Sequence, residues 1–302
     1  MSENKRYEVE WSFDFDKVAD RIKGSVEGLV GEVEVKTEHY SAPLDGATAA
    51  LVELGLSVGQ TTIKAAEESA NILDADVSFV GELDFSISGD STRKVKLAQK
   101  PNFNSIGESI KRSIGFAVKG GGNDLKWDVR LTKEIPLELR LGGGVGPSSV
   151  DLTDLNLRGL TVDGGVGEMT LTLPATPDVY KVSLDGGVGR THLTIAKGAM
   201  VNLTIDGGVG GIYITVQEDA HVNLKVQGGV GETKLEVPAE AGVSLNASGG
   251  LGNVSVPSRF QRIRTEDSFI SHGGAWETAN YASAENKITV EYEGGVGQLV
   301  VR

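Results

Sequence analysis

Over much of the chain, apolar and polar residues alternate with period two, and a glycine cluster interrupts the alternation at regular intervals. The tetrapeptide GGVG begins at Gly143, Gly164, Gly186, Gly207, Gly228 and Gly294, with GGLG at Gly249. Successive spacings are 21, 22, 21, 21, 21 and 45, and the long gap holds a degenerate copy, GGAW, at Gly273. Four and two positions before the pair stand apolar residues such as Leu139/Leu141, Leu160/Val162, Val182/Leu184, Leu203/Ile205 and Leu224/Val226. Five, seven and nine positions after it stand Met169/Leu171/Leu173, Thr191/Leu193/Ile195 and Ile212/Ile214/Val216. Period two on both sides of the joint predicts two short half-buried strands per repeat, not a helix. The glycine joint calls for positive φ or close backbone approach. The opposite joint uses turn formers such as Pro174-Ala-Thr-Pro177 and Glu218-Asp219.

A unit this short cannot bury its own apolar face, but identical units can when each strand lies beside its copy one coil on. The expected fold is all-β: a right-handed parallel β-solenoid (β-helix) of GGVG coils with one or two short capping helices. The competing arrangement is an antiparallel meander with each glycine pair in a hairpin turn. Constant coil length favours stacking, because hairpins tolerate drift. Looser copies precede the clean ones, in GLVGEVEV from Gly28, LSVGQTTIKA from Leu56, FVGELDFSI from Phe79 and the Leu125/Trp127/Val129 alternation. Two segments break the pattern. Ser105 and Glu108 form a capping box ahead of an Ile106/Ile110/Ile114 stripe and Gly115, which predicts a short helix over about 104–115. Val18, Ile22 and Val26 suggest another near the start. The chain thus divides into an N-terminal cap segment, 1–43, and a solenoid, 44–302, with clean repeats over 139–302 and an expanded polar coil between Arg259 and Asn286.

Composition narrows the function classes. Acidic residues outnumber basic ones by 42 to 29, a net charge of −13, which repels phosphate backbones and argues against nucleic-acid binding. There is no cysteine, which removes disulfides, thiolate catalysis and cysteine-ligated metals. The sequence shows no apolar signal region at its start and no apolar run long enough to span a bilayer. The expected placement is cytoplasmic or peripheral to the cytoplasmic membrane.

The runs DLTDLNLRGLTVDGGVGEMTLTLP (Asp151 to Pro174) and NKITVEYEGGVGQLVVR (Asn286 to Arg302), with the ladder of GGVG coils between them, resemble the toast-rack domain. That domain occurs in LiaF-like cell-wall-active antibiotic response proteins and in adhesin-like bacterial proteins. LDGATAALVELGLSVGQTTIKA (Leu44 to Ala65) is similar to its opening. The resemblance covers roughly residues 44–302. It implies a β-helical, non-enzymatic protein that needs no cofactor. Its partner would be a protein, a membrane or envelope-stress component. The absence of transmembrane helices departs from the usual pattern and shifts the expectation toward soluble or peripheral placement.

Candidate chemistry is sparse. GGVG is not the dinucleotide fingerprint, because each copy leads into a strand and no helix N-terminus faces an anion. It also lacks the aspartate of calcium-binding β-roll repeats. Gly55-Leu-Ser57-Val-Gly59 matches the nucleophile elbow by letter, without the strand–turn–helix context that motif requires, so Ser57 reads as a turn residue. His39, His192, His221 and His272 are scattered without metal-ligand spacing. Asn202, Asn246 and Asn253 open sequons but read as polar strand positions. One constellation stands out: the position before each glycine pair reads Asp163, Asp185, Asp206, Gln227, Ser248, His272 and Glu293. Stacking would place the three aspartates in a like-charge ladder about 4.8 Å apart. The plain reading is turn structure, since aspartate favours a site before glycine. The others are a cation or partner site, and a carboxylate cluster of a carbohydrate-active solenoid. Catalysis is not expected.

Overall fold

The computed structural model describes residues 34–100, 125–267 and 272–302, and among them the regular elements are all strands. The helices expected over 104–115 and near Val18–Val26 fall outside the described residues. In chain order the strands are β1 (Val35–Pro43), β2 (Ala49–Gly55), β3 (Gln60–Ala65), β4 (Asn71–Val80), β5 (Leu83–Ser88), β6 (Thr92–Gln99) and β7 (Lys126–Leu131). They continue with β8 (Leu137–Gly142), β9 (Ser148–Asp151), β10 (Leu157–Val162), β11 (Val166–Leu173), β12 (Tyr180–Asp185), β13 (Val188–Ile195) and β14 (Met200–Asp206). The last are β15 (Val209–Val216), β16 (His221–Glu236), β17 (Gly242–Ser248), β18 (Leu251–Ser255), β19 (Phe260–Asp267), β20 (His272–Thr278) and β21 (Lys287–Val301).

Each coil sends one strand into each of two ladders. The first runs β6–β2–β8–β10–β12–β14–β16–β21–β17, with every neighbour parallel. The second runs β7–β3–β9–β11–β13–β15–β16–β21–β18, also parallel throughout. Strands β16 and β21 pass unbroken through the glycine corner and belong to both. The register is that of the repeat: Leu160 opposes Val182, Val182 opposes Leu203, and Leu203 opposes Leu224. Equivalent positions of successive repeats therefore stack on one another, and the inward set forms one aliphatic core. Leu139, Leu171, Val201, Leu203, Ile214, Leu224 and Val290 are all nearly inaccessible to solvent. Burying each such side chain contributes about 1.5–3 kcal/mol. The fold is all-β and solenoid-like.

The coils do not follow one another in sequence order. The coil of β2 and β3 lies between those of β6/β7 and β8/β9. The coil of β21 lies between β16 and the β17/β18 coil. Antiparallel strands close the ends: β5 on β6, then β4 and β1 beyond β7, and β20 and β19 beyond β17. This corrects two sequence expectations. Leu83–Ser88 is not a coil strand: it runs antiparallel to β6, because the chain reverses between the two at Gly89, where φ is +79°. All but the last two residues of the GLVGEVEV copy lie outside the described residues. GGAW is not a coil joint, since β20 runs antiparallel to β17. Its fourth residue is Trp276, and the stacked joint demands glycine there.

Candidate functional site

The glycine corner is the distinguishing feature of every coil, and two different constraints make it glycine. The last residue of each tetrapeptide adopts positive φ: 138° at Gly146, 143° at Gly167, 140° at Gly189, 139° at Gly210 and 143° at Gly231. A β-carbon on any of them would overlap the carbonyl oxygen of the corresponding glycine one coil away, as Gly210 would that of Gly189. The glycine pair does not need positive φ in the central coils. Gly187 and Gly208 are held to glycine by packing alone, since a β-carbon on Gly208 would overlap the Gly187 carbonyl. Along these columns runs a narrow space of about 90 Å³ bordered by glycine backbone, by Leu141, Val162, Leu184 and Ile205, and by the valines between the glycines. It is too small and too apolar for more than a few water molecules.

Between the glycines, the valine of each GGVG forms a continuous column, with Val145 bridging to Val166 and then Val166, Val188, Val209, Val230 and Val296 in register. Val58, at one end, is buried, while Val209, Val230 and Val296 are 45%, 49% and 52% exposed. The result is an apolar ridge that rises out of the surface along the stack. Sequence reasoning singles out the aspartate before each pair and passes over this valine. The valine stays exposed because it stands between two positions where no side chain fits, so nothing beside it covers it.

Asp163, Asp185 and Asp206 do stand in successive coils, with Asp185 directly opposite Asp206. All three are exposed. Their main chains do the structural work, with the Asp163 N–H donating to Leu141 O at 2.8 Å and Asp206 O accepting from the Gly186 N–H at 2.6 Å. Among the described residues, no three histidine, aspartate or glutamate side chains converge in a geometry that could hold a metal ion. Further along the same column, Gln227 Nε2 donates to Glu293 Oε2 at 2.8 Å and Lys225 Nζ lies 3.7 Å from Glu293 Oε1. The Gln227 bond, then the Lys225 charge, hold the Glu293 carboxyl below its ordinary pKa.

The remaining candidates have structural partners. Ser57 Oγ accepts a 3.1 Å hydrogen bond from the indole N–H of buried Trp127, which accounts for serine in a glycine-like position. His192 lies on the outer face of the second ladder, stacked on Tyr213 with ring centroids 4.8 Å apart and 11° between planes. Lys234 covers Tyr213 at 5.5 Å, and His192 Nε2 lies 3.4 Å from Glu168. His221 is exposed in β16. His39 Nδ1 is 2.8 Å from Asp76 Oδ1 at the antiparallel end, where Arg130 also pairs with Asp76. The His39 bond, reinforced by Arg130 against partial desolvation, lowers the Asp76 pKa. Of the sequon residues, Asn202 accepts from the Asn223 amide at 2.8 Å in an outward ladder.

A family model described as the N-terminal domain of toast_rack, DUF2154, matches residues 30–194. No curated protein matches the chain. Two solved structures are similar to it. One is described as a "putative cell adhesion protein" from Clostridium sporogenes, 20% identical, with a TM-score of 0.45 over 89% of this chain and 99% of that chain. The other is a "putative adhesin" from Bacteroides fragilis, 13% identical, with a TM-score of 0.33 over 89% of this chain and 97% of that one.

Proposed function

The chain belongs to the toast-rack family, and from that premise we propose that it is a non-enzymatic scaffold of right-handed coils that presents long β faces to a protein partner in bacterial envelope stress or adhesion. The observation that carries this reading is the uninterrupted in-register ladder. Because both neighbours fix each central strand, the outward side chains form straight rows on a rigid surface, which lowers the entropy lost when a partner docks. Those rows include Thr161, Ser183 and Thr204 on one face and Thr172, Thr194 and Thr215 on the other. We assign the molecule a cytoplasmic or membrane-peripheral position. Among the described residues, no helix is long and apolar enough to cross a membrane.

The carbohydrate-active alternative fits the geometry less well. A saccharide platform presents an aromatic ring face outward, whereas one face of Tyr213 is stacked on His192 and the ring is also covered by Lys234. A photo-crosslinking residue at Thr204, in cells of the native organism, tests the proposal. A discrete protein adduct is expected. Absence of any adduct, together with binding of the purified protein to a polysaccharide array, would replace it with the carbohydrate reading.

A further inference from the structure

The valine ridge has a defined chemical setting. On one side of it, three residues ahead of each valine in the clean coils, stand Asp163, Asp185, Asp206, Gln227 and Glu293. On the other, two residues after the valine, stand Glu168, Arg190, Gly211, Glu232 and Gln298. Beside the exposed valines these columns hold the carboxylates Asp206, Glu232 and Glu293, with Lys225 Nζ 3.7 Å from Glu293, and further along the stack Asp163, Asp185 and Glu168 with the one cation Arg190. A second copy laid ridge to ridge would bring these acidic borders together, which disfavours self-association. An anionic lipid surface is disfavoured for the same reason.

The backbone N–H groups along the ridge are also taken up within the stack. The N–H of Val166, Val188, Val209 and Val230 each donates to a carbonyl one coil back at 2.9 Å. A partner therefore gains no main-chain hydrogen bonds here and must satisfy its own, which an α-helix does and an added strand does not. The immediate flanks of each valine are glycine, so no side chain blocks a cylinder lying along the ridge.

We infer that the exposed ridge of Val209, Val230 and Val296 docks an amphipathic helix of a protein partner whose apolar stripe is bordered by lysine or arginine. The inference rests on the scaffold reading above and gives it a location and a partner chemistry. Apolar contact supplies affinity along the stripe, and the acidic borders supply orientation and rate.

Three designed 18-residue helices test it by titration calorimetry against the whole protein: a leucine stripe bordered by lysine, the same stripe bordered by glutamate, and a serine stripe bordered by lysine. Only the first is expected to bind, more weakly as salt is raised. The triple variant Val209→Thr, Val230→Thr, Val296→Thr keeps the β-branched shape and should weaken that binding about tenfold or more. Asp185→Asn with Asp206→Asn and Glu293→Gln should do likewise, while Glu240→Gln with Glu285→Gln, remote from the ridge, should not. Equal binding of the serine helix or of the glutamate helix would overturn the inference. So would undiminished binding by a folded valine variant, or a concentration-dependent dimer that the valine variant abolishes. A crosslinked partner at Thr204 with no helix binding here would leave the scaffold reading standing and this inference refuted.

Discussion

At the residue scale, the fold is most sensitive where no side chain fits. Gly208 has ordinary φ but no room for a β-carbon, whereas Thr204 points outward from β14. Gly208→Val should destabilise by about 1–3 kcal/mol or more, as overpacking does. Thr204→Val should stay within about 0.5 kcal/mol. Paired thermal melts check this, and equal midpoints would mean the corner has room for a β-carbon after all. Asp76 offers a second test at the antiparallel end. Because its folded pKa is lowered, its contribution is complete above the unfolded aspartate value and disappears as pH falls through the folded one. Asp76→Asn should therefore cost stability at pH 7 and nothing in strong acid. The cost should be below about 1 kcal/mol, because the group is largely solvated. Urea titrations across that range give the curve, and a difference that grows toward acid would contradict it. The aspartate register was readable from the sequence because spacing alone determines it. The ridge was not, because a valine inside an apolar-looking motif reads as core until the corner's close packing is known.

At the element scale, period two and constant spacing were enough to read both ladders, their parallel register and the inward residues from Leu139 to Val237. The order of the coils was not readable. Nothing in the alternation of LVELGLSVGQTTIKA says that its strands will sit between β6/β7 and β8/β9 rather than ahead of them. That choice is made by long-range pairing, which local pattern does not record. GGAW misled for a related reason: its two glycines satisfy the pair, while Trp276 is buried beneath the Arg262 guanidinium at 5.2 Å in an antiparallel context. Strand β21 carries the strongest prediction. In a stack, stability comes largely from interfaces between neighbours, and β21 supplies one to β16 and another to β17 and β18. Removing residues 287–302 should abolish hydrogen-exchange protection over 242–255 and weaken it over 221–236, while 157–195 remains protected. Retained protection over 242–255 would mean those strands find another partner.

At the scale of the whole molecule, the nine coils among the described residues at about 4.8 Å each, extended by antiparallel strands at both ends, make a rod on the order of 50–60 Å long. The placement of β21 governs how such a rod bears load. A stack whose outermost coil is also last in sequence unpeels under tension, one hydrogen bond at a time, like a zipper. Force applied at Val301 instead meets a strand gripped on both flanks. On one flank the pairing runs from Val222 opposite Ile288 to Leu235 opposite Val301, and on the other β17 and β18 hold it. Pulling along that strand loads many bonds together in shear, so β21 acts as a clamp rather than a loose end.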